Sequence, residues 1–112
     1  MENSEVEKAK ALIIVEIIEY VPNKVAIKSI INKSTGNIKV ISFDTGEALT
    51  EKVIPFDKFI QIIDGKAEII IDGETNLLNT GQSIIIPAHT ANVVKAKERF
   101  KMISTIIKSG YE

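Results

Sequence analysis

Apolar residues in this chain fall in short runs rich in isoleucine and valine, separated by residues that favour turns. Glycines at positions 36, 46, 65, 73, 81 and 110 mark most of the breaks, and Pro55 interrupts the longest interval between them. Residues 25–31, 37–43, 59–63, 67–71 and 83–86 are dense in β-branched side chains, and further runs follow at 91–96 and 99–107. Runs of this length and composition predict strands, eight or more in all. Asp64-Gly65 and Asp72-Gly73 flank one of them. Asp-Gly supplies the positive φ angles of a tight hairpin turn, so two consecutive hairpins in an antiparallel meander are expected there. No 10-residue helical pattern separates the strands, which excludes βαβ units and leaves an all-β sandwich or barrel.

Some of these runs do not alternate. Ile69-Ile70-Ile71 and Ile84-Ile85-Ile86 are apolar on both faces of a strand, so both faces should be covered. A barrel interior can cover one. A chain of 112 residues has little left to cover the other, and a homodimer through the outer sheet face is expected. The N-terminus is ambiguous, because Ser4-x-x-Glu7 resembles a capping box while residues 11–15 form a continuous apolar run. The reading adopted is a frayed or loosely helical segment over 1–8, a strand over 11–15 available to a partner subunit, and a helical turn over 16–20 ended by Pro22. Residues 1–10 and 109–112 are read as tails around one domain spanning 11–108.

Composition narrows the chemistry. Hydrophobic residues make up 45% and charged residues 26%, which excludes a disordered chain. Lys+Arg 14 against Asp+Glu 15 gives a net charge of -1, so no positive field is available for a nucleic acid. Without cysteine there is no disulfide, no thiolate metal site and no cysteine nucleophile. The mixed charges of MENSEVEKAK are unlike a secretory signal, and no run reaches the length of a membrane span. A cytoplasmic protein is expected. Any reaction must come from Lys, Asp, Glu, Ser, Thr, Tyr or the single His89.

A frame of fixed spacings runs through the middle of the chain. Gly46 is followed by five residues, Lys52-x-Ile54, three residues, Lys58, six residues and Gly65; Gly81 is followed by five residues, Pro87-Ala88-His89, two residues and Asn92. Both spacings, with the flanks Phe43-Asp44-x-Gly46-Glu47, Pro55-Phe56-Asp57 and Arg99-Phe100-Lys101-Met102, resemble the two motifs of the small single-domain bacterial cupins. The resemblance covers residues 11–108 and implies a cupin-type double-stranded β-barrel, or jelly roll. In metal-binding members, two histidines, a glutamate and a third histidine hold one divalent ion inside the barrel. The matching positions here are Lys52, Ile54, Lys58 and Asn92. A protonated amine and an isoleucine cannot ligate, and an amide is a poor ligand for such metals. His89 takes the family's glycine position, outside the ligand set. The metal motif therefore reads as lost, no metal or cofactor is expected, and the family's metal-dependent chemistry does not carry over.

The family geometry would aim Lys52 and Lys58 into the lumen. Three readings stay open for them. The amines can reach solvent at the mouth while their stems cover apolar wall. With Asn92, and His89 at the rim, they can form a pocket for a carboxylate or phosphate. A desolvated lysine can also act on a carbonyl or sugar-acid substrate as a base or Schiff-base former. The function expected is metal-free binding of a small anion in the barrel, the alternatives being that metal-independent enzyme or a purely structural dimeric barrel.

Overall fold

The computed structural model describes residues 5–110, and they form an almost purely β structure. Eight strands follow one another: β1 (Val25–Lys33), β2 (Gly36–Phe43), β3 (Ala48–Glu51), β4 (Lys58–Ile71), β5 (Glu74–Asn79), β6 (Ser83–Ile86), β7 (Asn92–Lys95) and β8 (Phe100–Ile107). Every pairing is antiparallel. One sheet carries β1, β2, β8, the first half of β4, and β6. A second carries β3, β7, the second half of β4, and β5. The sheets curl over a common core that includes Phe43, Ile60, Ile62, Ile69, Val94, Phe100 and Met102.

The strand β4 corrects the expected meander. Residues 59–63 and 67–71 are one continuous strand, and Asp64-Gly65 is a corner within it instead of a hairpin turn. Its register against β8 shifts between Ile62 and Asp64, the signature of a bulge, which bends a strand and passes it from one sheet to the next. Gly65 has φ +89°, and its amide donates to Thr80 Oγ1 at 2.9 Å. Asp72-Gly73 is the hairpin expected, with φ of 51° and 86° at the two turn residues. Both must be positive in this turn type, whereas at the corner only the glycine is positive.

The N-terminal segment differs as well. Residues 11–15 form no strand, and the helical turn is a single 3-10 turn at Ile14–Glu16, earlier than expected. The proposed frayed segment over 1–8 and its capping serine fall partly outside the described residues. From Glu5 onward the chain is held to β1: the Val6 amide donates to Ile30 O at 3.4 Å, and the Glu5 carboxylate accepts from the Asn32 amide. The following stretch lies across the outer face of the first sheet. Lys101 Nζ donates to Val15 O at 2.5 Å and Ser42 Oγ to Glu19 O at 2.9 Å. Side chains thus capture carbonyls that a strand would have offered to a neighbour. Tyr20 completes the clasp, its hydroxyl donating to Asp64 at 2.6 Å and its ring lying under Arg99 and Lys101.

Not every two-faced apolar run is covered. Ile84 and Ile86 are sheltered, but Ile85 is 59% exposed beside Phe59 and Ile107 on the outer face of the first sheet. Among the described residues no helix is long and apolar enough to cross a membrane.

Candidate functional site

Because side chains alternate along a strand, the ladder pairings sort the lumen into layers. Phe43 and Phe100 stack at one end with ring centroids 4.5 Å apart. Ile41, Met102 and Ile62 lie in register above them. The next layer is Lys39, Ser104, Ile60 and Ile84, and the last is Asn37, Ile106, Lys58 and Ile86. On the facing sheet, Leu49, Val94 and Ile69 are followed by Glu51, Asn92 and Ile71. The barrel is therefore apolar at its base and polar at its mouth.

The polar layer has a definite electrostatic arrangement. Lys58, the first residue of β4, is buried, and its ammonium pairs with the Glu51 carboxylate on the other sheet. Burial pushes the Lys58 amine down, and the positive charge of half-buried Lys39 adds to the shift, bringing it to about 8. Asn37 is 7% exposed and Asn92 4%, yet the Oδ1 atom of each has no hydrogen-bond partner. Leaving a buried acceptor unpaired costs about 1–3 kcal/mol. Both belong to the polar end of the barrel, where water or a ligand can donate to them. The Glu68 Oε1 atom is also without a hydrogen bond, but it lies on the outer face of the second sheet with Lys97 Nζ 3.8 Å away.

Of the residues expected at the site, Lys58 and Asn92 come together in this layer. Lys52 does not: it follows the last residue of β3 and is exposed. The adjacent residue Glu51, opposite Asn92 in the ladder, faces the lumen in its place. His89 is exposed on the rim with φ 63°, and its amide donates to Ile54 O at 2.7 Å. That bond, with the one from the Ala88 amide to Asp57 Oδ1 at 2.8 Å, ties the two mouth loops together. Glu51, Lys39 and Asn37 were not singled out from the sequence. Period-2 counting back from buried Phe43 through Ile41 reaches Lys39 and then Asn37, so β2 carried a usable signal.

The donor set at the four metal positions of the resemblance does not fit a divalent ion. Lys52 points to solvent, Ile54 has no ligand atom, Lys58 is committed to Glu51, and the Asn92 amide is a single neutral oxygen. Among the described residues no group of three or more His, Cys, Asp or Glu is placed to hold a metal.

The sequence matches no family model and no curated protein. Solved structures match it over nearly its whole length. A conserved Streptococcus pyogenes protein of unknown function is 29% identical, with TM-score 0.88 over 96% of this chain and 94% of that one. A cupin superfamily protein from Desulfitobacterium hafniense is 25% identical, with TM-score 0.84 over 94% and 95%. A cupin 2 conserved barrel protein from Leptotrichia buccalis is 28% identical, with TM-score 0.80; 84% of this chain matches 46% of that one. This chain is a small cupin-type domain with the jelly-roll barrel of these proteins.

Proposed function

We propose that this cupin-type domain binds a small hydroxylated carboxylate at the mouth of its barrel and does so without a metal ion. The observation that carries the reading is the pair of buried, unpartnered Asn37 and Asn92 oxygens in the same layer as Lys58. Two ammonium groups and one carboxylate, Lys39 and Lys58 against Glu51, leave the mouth with one uncompensated positive charge. A single carboxylate neutralises it, and ligand hydroxyls donate to the two orphaned amide oxygens. The low dielectric of the lumen strengthens that attraction over an exposed site. Exposed Lys52 and His89 stand at the rim of this arrangement.

A thermal-shift series of hydroxy acids and sugar acids is the test. A ligand at 100 times its Kd stabilises the fold by about 2.7 kcal/mol, a rise in Tm of roughly 10 °C for a domain of this size. The rise should shrink for the matching neutral polyols and vanish in Lys39→Met and Asn92→Ala variants. A shift that persists unchanged in both variants, or no shift with any acid, would remove the reading.

We further propose that the homodimer expected from the sequence forms through the outer face of the first sheet. There Phe59, Ile85 and Ile107, with Asp57 and Thr105, surround a depression of about 290 Å³. Exposed large apolar side chains gathered on one sheet face are what an interface covers. Light scattering should give twice 12.3 kDa, and Ile85→Glu should return it to the single mass. A monomer in the parent protein contradicts the proposal.

A further inference from the structure

We propose that Lys58 forms a reversible imine with small 2-oxo acids, with Glu51 as the proton carrier and Lys39 as the seat of the ligand's carboxylate. The proposal rests on the mouth being the anion site, and it names the substrate class and the covalent step there. Three placements support it. Lys58 Nζ lies inside the barrel, where water competes poorly for an electrophile and the product imine is shielded from hydrolysis. A carboxylate is in direct contact with that nitrogen. Lys39, one layer beyond Ile41 along β2 toward the mouth, brings a second positive charge close enough to be felt by Lys58. Each component has a separate task. The same fields that bring the amine to about 8 keep a usable fraction of it neutral just above neutral pH.

The step balances within these groups. Glu51 takes one proton from the Lys58 ammonium, leaving a neutral amine. The nitrogen lone pair attacks the carbonyl carbon, a C–N bond forms, and the carbonyl π pair moves to oxygen. A proton passes from nitrogen to that oxygen to give the carbinolamine. Glu51 then returns its proton to the hydroxyl, which leaves as water while the nitrogen lone pair closes the C=N bond. The sum is ammonium plus ketone giving protonated imine plus water, with Glu51 again a carboxylate beside the new cation. No oxidant, reductant or metal enters.

The experiment is reductive trapping of the full chain with pyruvate and cyanoborohydride, read by intact mass and peptide mapping. One adduct per chain, localised to Lys58, is expected, with a yield whose rise has its midpoint near pH 8, whereas that of exposed lysines should have its midpoint in their ordinary range near 10. Lys58→Arg should abolish the adduct. Lys39→Met should lower the yield with pyruvate several-fold more than the yield with uncharged acetaldehyde, which loses only the help that Lys39 gives to the neutral amine. Adducts spread over the exposed lysines, or equal in Lys58→Arg, overturn the proposal. If hydroxy acids still raise Tm in that case, the binding reading stands without the imine; if neither effect is seen, both fall.

Discussion

Gly65→Ala should destabilise the fold by about 3–5 kcal/mol, while Gly46→Ala, at the same φ of +89°, should cost only about 1–2 kcal/mol. The shared dihedral makes the pair an internal control. A Cβ at Gly46 meets nothing within 4 Å, so its cost is backbone strain alone. At Gly65 the added atom would lie 2.4 Å from Arg99 O and 2.9 Å from Phe100 Cβ. Both are close to the ladder that joins β4 to β8, and neither is a flexible side-chain end that can swing away. Chemical denaturation of the two variants is the measurement. Since a domain of this kind has about 5–15 kcal/mol in total, the first change should remove a large part of it. Equal losses would mean that the corner relaxes freely and that the close approach is unimportant.

Phe100→Ala is the other large effect, expected at about 3–5 kcal/mol. Phe43 and Phe100 are both fully buried, and their rings stack at an interplanar angle of 12°. They fill the base of the barrel, where the backbone is fixed by pairing on both sides and cannot collapse into the space left behind. A cycle with Phe43→Ala should show coupling of about 0.5–1.5 kcal/mol, the part due to ring against ring. Urea unfolding measures all three variants. A loss below about 1 kcal/mol for Phe100→Ala would show that the base is loosely packed.

Strand identity was largely legible because β-branched runs and the Asp72-Gly73 turn follow local rules. The corner at Asp64-Gly65 was not. The same dipeptide type serves both places, and what differs is the partner: β8 runs alongside both Ile62 and Gly65, so the chain bends where a free strand would have turned back. Residues 11–15 failed for a related reason. Leu12 and Ile13 stay exposed, at 41% and 60%, while Lys101, far away in sequence, takes the Val15 carbonyl that a strand would have offered to a neighbour. At the mouth, the spacing of the resemblance located Lys58 and Asn92. It could not reveal Glu51, because a frame defined by metal ligands is silent about the counter-charge that a lysine needs once it replaces one. It also misplaced Lys52, whose neighbour holds the inward position at the end of a four-residue strand.

Among the described residues, β4 pairs with β5, β6, β7 and β8, whereas β3 pairs with β7 alone. Local opening follows the number of partners a segment must release. Amides in the middle of β4 should exchange with solvent only when the whole domain unfolds, and those of β3 through smaller, more frequent openings. Glu51 belongs to the second class, and Lys58 begins the strand whose middle forms the first. The ion pair at the mouth therefore joins the most protected wall of the barrel to one of its least protected. Local opening of β3 should separate the Lys58–Glu51 pair before β4 itself opens.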